Sequence, residues 1–101
     1  MEKEFWRWTE SAWVSPDIDW KKGGYVVGGC DVGSVSTQMV IMVDGKLYAY
    51  SNTRSKGKSS ASAQNALEKV LEKTNLKLEK IEYIVGTGYG RIQIPFAKKE
   101  N

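Results

Sequence analysis

An α/β fold in the order β-β-β-α-β is predicted from three observations. Short apolar runs alternate with turn signals over the first half of the chain. A single stretch carries a helical apolar stripe. A further short apolar run follows it. The chain has 101 residues, which suits one small domain.

Residues 1–22 stand apart as a tryptophan-rich arm. Trp6, Trp8, Trp13 and Trp20 all fall there with Phe5, interleaved with charges and a Ser15-Pro16-Asp17 turn signal. No period of 2 or 3.6 emerges. The indoles either pack on the chain's own core or anchor a partner, since tryptophan is a frequent interface anchor. From residue 23 to residue 101 the pattern is regular. Tyr25–Val32 reads as a buried strand containing Gly28 and Gly29, where glycine suggests close approach of another backbone or a ligand. Gly33–Ser36 reads as a turn. Thr37–Val43, rich in branched residues, is the second strand. Asp44-Gly45 is a type I′ hairpin signal, because both central positions need positive φ. Lys46–Ser51 is the third strand, antiparallel to the second.

Asn52–Ser60 is polar and basic and reads as a loop. Ala63, Ala66, Leu67, Val70 and Leu71 then fall on one helical face. Ser59 or Ser60 is positioned to cap that helix and Thr74-Asn75 to end it. Ile81–Val85 is the fourth strand, ending in a glycine-rich loop at Gly86–Arg91. A helix between the third and fourth strands makes a crossover, so the fourth lies parallel to a neighbour. The sheet is therefore mixed. It leaves an open edge and an uncovered face, which favours a homo- or hetero-oligomer.

The formal net charge is +3, and the lysines are scattered, so no nucleic-acid footprint is expected. No apolar run is long enough for a membrane span, and no membrane partner is expected. No leader pattern opens the chain. Cys30 is the only cysteine, which excludes an internal disulfide and suits a reducing, cytoplasmic setting. A single copy cannot build a metal or cluster site from several thiolates. Histidine is absent, leaving carboxylates, hydroxyls and backbone groups for any chemistry.

The turn between the first two strands has a coherent chemistry. Asp31 ends a buried strand. Gly33 allows a tight turn and removes a blocking side chain. Ser34, Ser36 and Thr37 bring hydroxyls, and successive backbone N–H groups, Val35 among them, can converge on an anion. A carboxylate beside a phosphate is tolerable when Mg²⁺ lies between them, held directly or through water. An ordinary polar hairpin is the alternative that spacing alone leaves open. Two other stretches only resemble nucleotide motifs. Gly57-Lys58-Ser59 has the tail of a Walker loop, but Asn52 stands where the first glycine is required. Gly86-Thr87-Gly88-Tyr89-Gly90 has its third glycine one position early for a dinucleotide fingerprint, although strand ends are where α/β sheets place ligands.

Gly29–Thr37 and Val85–Arg91, in this order, resemble the ATPase family of benzoyl-CoA reductase ATP-binding subunits and 2-hydroxyacyl-CoA dehydratase activators. Thr87-Gly88-Tyr89-Gly90-Arg91 is the more diagnostic stretch. Asp44–Asn52, Ile94-Pro95-Phe96-Ala97 and the tryptophan-rich arm look most like benzoyl-CoA reductase. The resemblance implies a ribonuclease-H-like half-domain of the acetate/sugar kinase, Hsp70 and actin superfamily over residues 23–101. It implies that Asp31 is the catalytic residue and positions Mg²⁺ through water. Gly33, Ser34, Val35, Ser36 and Thr37 would contact ATP phosphates, and Gly86–Arg91, with Gly86, Thr87 and Gly88 as nucleotide contacts, would line the cleft or the subunit interface. It further implies coupling of ATP hydrolysis to electron transfer from a 4Fe-4S cluster, for reductive dearomatisation of benzoyl-CoA by other reductase subunits. Members of that family continue well past 101 residues, with the cluster cysteines and a second phosphate loop beyond that point. One jaw of the cleft is thus expected here, with weak ATP binding and no hydrolysis by this chain alone. A non-catalytic interaction module that keeps the half-domain fold is the alternative.

Overall fold

The computed structural model describes residues 10–22, 24–55, 58–88 and 99–100, with backbone alone at 59, 87, 88, 99 and 100. Six strands and one α-helix are present among them: β1 (Ser11–Val14), β2 (Val26–Val32), β3 (Ser36–Val43), β4 (Lys46–Arg54), α1 (Ser59–Thr74), β5 (Tyr83–Gly88) and β6 (Lys99–Glu100). They form one mixed sheet in the order β1-β4-β3-β2-β5-β6. The expected meander is β2-β3-β4, antiparallel throughout, and β5 pairs with β2 in parallel. The helix supplies the crossover.

Alternation sorts the sheet into two faces. Val26, Cys30 and Val32 of β2, and Met39, Ile41 and Val43 of β3, are buried beneath α1 with Ala49 and Ile84. The predicted helical stripe is the buried one: Ala63, Ala66, Leu67 and Val70 meet the sheet, and Leu71 packs at its margin. Alanines let the helix approach closely, and Leu67 contributes about 2–3 kcal/mol by its burial. Ser51 Oγ donates to the Ala66 carbonyl at 2.7 Å, tying sheet to helix with a buried hydrogen bond. Gly28 belongs to this packing. A Cβ there would lie 3.3 Å from Ile84 Cγ1 and 3.4 Å from Ile41 Cδ1, so crowding by apolar side chains, rather than a ligand, accounts for the glycine.

Turn chemistry is legible where predicted. Asp44 (φ 53°) and Gly45 (φ 81°) both have positive φ, as a type I′ turn requires. The Asp44 carboxylate also accepts from the Tyr25 amide at 2.8 Å. Asn75 ends the helix in the left-handed region, with its N–H donating to the Leu71 carbonyl at 2.8 Å, an arrangement asparagine tolerates.

Element boundaries differ from expectation: β2, β3 and β5 begin at Val26, Ser36 and Tyr83 rather than at Tyr25, Thr37 and Ile81, and four differences are larger. The N-cap is Lys58, without a side-chain cap, so neither Ser59 nor Ser60 caps the helix. β4 runs on through Asn52, Thr53 and Arg54, because Ser36 and Thr37 of β3 pair with Arg54 and Thr53. Gly86, Thr87 and Gly88 continue β5, paired with Cys30, Asp31 and Val32, so the loop expected from residue 86 begins beyond them. Parallel pairing with β2 outweighs the weak strand preference of glycine there. Part of the arm is itself a strand: Ser11–Val14 pairs antiparallel with Ala49–Asn52. Trp20 packs against the core and donates through Nε1 to the Thr74 carbonyl at 3.2 Å. Trp13 instead stays 40% exposed, stacked on Tyr50 at 5.9 Å. Trp6, Trp8 and Tyr89–Ala97 lie outside the described residues.

Candidate functional site

β2 and β5 run parallel and end side by side at Val32 and Gly88. The carboxyl ends of parallel strands are where α/β sheets collect ligands. The turn from Gly33 to Ser36 starts there. Asp31, the exposed penultimate residue of β2, lies on the face opposite α1. A shallow depression of ≈ 210 Å³ on that face is lined by Gly29, Cys30, Asp31, Gln38, Val40 and Val85. Asp31 is the one carboxylate among these lining residues.

The register places a transverse row across five strands. Ser11 pairs with Asn52, Asn52 with Gln38, Gln38 with Asp31, and Asp31 with Thr87. All five residues are polar, whereas the preceding row on the same face, Trp13, Tyr50, Val40, Gly29 and Val85, is mainly apolar. Gln38 Nε2 donates to Asn52 Oδ1 and to Ser36 Oγ, both at 2.8 Å. Period-2 alternation from Ser36 could have singled out Gln38 and Asn52, since each faces the same side as Asp31.

Gly33 is needed for a reason other than the expected one. Its φ is not in the left-handed region. A Cβ there would sit 2.9 Å from the Ser36 carbonyl oxygen, which accepts from the Gly33 amide at 3.0 Å. That bond spends the Gly33 N–H inside the turn. Ser34 and Val35 are exposed, and their amides make no turn or loop bond among the described residues. They are the two backbone donors the turn can offer an anion.

Ser55, within the polar Asn52–Ser60 stretch that reads as loop, clamps this turn. Its amide donates to the Val35 carbonyl at 2.9 Å, and its hydroxyl donates to the Gly33 carbonyl at 2.5 Å. Since the Ser55 proton is spent, Thr37 Oγ1 is the donor in the 2.9 Å contact between the two hydroxyls. The Thr37 side chain is fully buried on the helix face and its proton is used internally, so the side chain braces the turn. Nothing in the local composition marks Ser55; only the folded register brings residue 55 against residues 33–37.

Cys30 lies on the opposite face from Asp31, 1% exposed in the core. Burial, and then the charge of Asp31, push its thiol up to about 12. It is a packing residue, and a thiol held neutral makes a poor metal ligand. No cluster of three or more His, Cys, Asp or Glu is present among the described residues. A 4Fe-4S cluster therefore does not fit them. A larger groove of ≈ 480 Å³ between α1 and Glu10 is lined by Glu10, Asn65, Glu68, Lys69 and Glu72. Lys69 and Glu10 pair there at 3.5 Å, as on an ordinary solvated surface. No helix among the described residues is long and apolar enough to cross a membrane.

No family model matches the sequence. Individual relatives do. An activator of lactoyl-CoA dehydratase from Anaerotignum propionicum is 43% identical over 72 residues, 71% of this chain and 28% of that protein. A 2-hydroxyisocaproyl-CoA dehydratase activator from Clostridioides difficile is 38% identical over 71% of this chain and 27% of its own length. The (R)-2-hydroxyglutaryl-CoA dehydratase activating ATPase of Acidaminococcus fermentans is 32% identical over 62% and 24%. Among solved structures, component A of the Acidaminococcus fermentans (R)-2-hydroxyglutaryl-CoA dehydratase superposes with a TM-score of 0.68 at 30% identity, covering 76% of this chain and 30% of that one. The Clostridium difficile 2-hydroxyisocaproyl-CoA dehydratase activator with bound ADPNP gives 0.68 at 32% identity, covering 75% and 28%. The homologues are activators of 2-hydroxyacyl-CoA dehydratases, one of them named as an ATPase. The fold is the α/β fold of these actin-like ATPase activators. The chain spans about a quarter of the length of these curated relatives.

Proposed function

We propose that the Gly33–Ser36 turn, with Asp31 beside it, is a phosphate-binding element of an ATPase that drives electron transfer into a partner enzyme acting on an acyl-CoA. One observation carries this: two exposed amides and the Ser34 and Ser36 hydroxyls gather beyond the end of β2, next to an exposed carboxylate. The dehydratase-activating ATPase among the relatives and the ADPNP-bound neighbour support it. The amides of Ser34 and Val35 hold phosphate oxygens, with the two serine hydroxyls as further donors. Gly33 keeps the turn tight, and Thr37 braces it from below. Gly86, Thr87 and Gly88 border the site through their pairing with β2.

Mg²⁺ fits the donor set. It commonly keeps several waters and takes one or two carboxylates plus substrate phosphates, and Asp31 supplies the one carboxylate in the row. Bound there, the ion offsets the charge repulsion between Asp31 and the phosphates.

The substrate of the partner enzyme is benzoyl-CoA, with ATP hydrolysis coupled to ring reduction; Asp44–Asn52, Ile94–Ala97 and the tryptophan-rich arm support this. Activation of a 2-hydroxyacyl-CoA dehydratase is the second reading, favoured by the named relatives. The enzyme assembled with its partner subunits, given ATP and a low-potential electron donor, should consume benzoyl-CoA. Consumption of a 2-hydroxyacyl-CoA in its place would move the assignment to the second reading.

By itself the chain binds Mg·ATP weakly and hydrolyses none above background. Titrating the isotope-labelled chain with Mg·ADPNP should shift amide signals of Asp31–Ser36 with a Kd of about 1 mM or weaker, roughly −4 kcal/mol. Shifts confined to other regions, or none at saturating nucleotide, would leave only the interaction-module reading.

A further inference from the structure

We infer that Gln38, locked by Asn52, is a positioning residue that sets the Ser36 hydroxyl as a hydrogen-bond donor to the nucleotide phosphate. The inference rests on the nucleotide reading of the turn and adds a residue to it.

A primary amide has two N–H donors. Gln38 spends one on Asn52 Oδ1 and the other on Ser36 Oγ, each at 2.8 Å. A serine hydroxyl has one proton and two lone pairs. With a lone pair engaged from within the protein, the proton of Ser36 has no acceptor among the described residues. An ionised phosphate has acceptors and no donor, so it matches what Ser36 has left. Donation into Ser36 Oγ also polarises its O–H bond, which strengthens the bond it gives outward.

The same geometry serves Asp31. Gln38 is its cross-strand partner, close enough in a sheet for side chains to interact. An amide with a spare proton would pair with that carboxylate. Gln38 has none to spare, so the Asp31 oxygens remain available to a hydrated cation. Asn52 holds the whole arrangement, and it sits between β1 and β3 in the sheet. A short chain Asn52–Gln38–Ser36 thus carries orientation from the sheet face to the turn.

A double-mutant cycle tests this. The full chain is titrated with Mg·ADPNP by amide chemical shift, and thermal melting confirms that each variant is folded. Ser36→Ala should weaken binding about tenfold, the worth of a charge-assisted hydrogen bond. Gln38→Met, close in volume but without the donors, should weaken it roughly threefold to tenfold. The double variant should bind no more weakly than Ser36→Ala alone, because Gln38 acts through the hydroxyl that is already gone. Should Gln38→Met fail to fold, Gln38→Leu completes the same cycle, since it also removes both donors and leaves no amide proton for Asp31.

The outcomes separate the two levels. No binding by the unaltered chain overturns the nucleotide reading and this inference with it; binding that Ser36→Ala leaves unchanged overturns this inference alone. A real effect of Ser36→Ala with a neutral or additive Gln38→Met overturns the role of Gln38 alone. Tighter binding by Gln38→Met also overturns it, since that would mean the glutamine had been holding the serine proton inward.

Discussion

Removing the Ser55 hydroxyl should destabilise the protein far more than its position after a strand end suggests. Ser55→Ala deletes the donor to the Gly33 carbonyl and the acceptor of the Thr37 proton. The first loss costs about 1 kcal/mol net. The second leaves a hydroxyl with 0% exposure and no partner, which costs about 1–3 kcal/mol. The sum is about 2–4 kcal/mol, a large share of the about 5–15 kcal/mol that holds a domain together. Urea denaturation monitored by tryptophan fluorescence should show the drop with an unchanged m-value. Thr37→Val in the same background provides the internal check. It removes the orphaned hydroxyl while keeping the shape, so the double variant should recover to within about 1 kcal/mol of the parent protein. A Ser55→Ala protein of unchanged stability, or a double variant weaker than the single, would refute the proton ordering Thr37 to Ser55 to Gly33.

Three further outcomes follow from the same geometry. Gly33→Ala forces a Cβ to within 2.9 Å of the Ser36 carbonyl; opening the turn should cost about 1–3 kcal/mol and weaken Mg·ADPNP binding, both read in one titration series. Asp31→Ala, at an exposed strand position, should change stability by less than about 0.5 kcal/mol yet abolish the Mg²⁺ dependence of nucleotide binding, with docking to partner subunits intact; equal loss of both would argue against a separate metal role. Cys30 should resist alkylation at pH 8 in the folded protein and react on unfolding. Its folded pKa is raised from 9.0 to about 12, so the unfolded chain loses this proton first as pH rises. The resulting stability is intact below pH 9, falls as pH climbs towards about 12, and is measurable as a declining urea midpoint that Cys30→Ala lacks.

Much of the scaffold was legible before folding was considered. Branched residues at Thr37–Val43, the Asp44-Gly45 pair and the stripe from Ala63 to Leu71 each report a local preference, and local preferences survive into the structure. The candidate turn was legible for the same reason, since glycine and hydroxyl residues are packed into consecutive positions. The errors lay where partners distant in sequence decide the outcome. Asn52–Arg54 read as loop because they are polar, but β1 and β3 recruit them as strand. Gly86–Gly88 read as loop because they are glycine-rich, but a parallel neighbour holds them extended.

An α/β sheet with a polar turn after its first core strand follows from periodicity and turn chemistry, which act over a few residues. Tertiary structure decided what the turn can do. Register across 22 residues places the Ser55 hydroxyl on the Gly33 carbonyl and within hydrogen-bond reach of the buried Thr37 hydroxyl, which braces the turn. Register across β2, β3 and β4 places Asp31, Gln38 and Asn52 in one row. Hydrogen-bond direction depends on which groups meet, and chain-distant groups meet only when the sheet has closed.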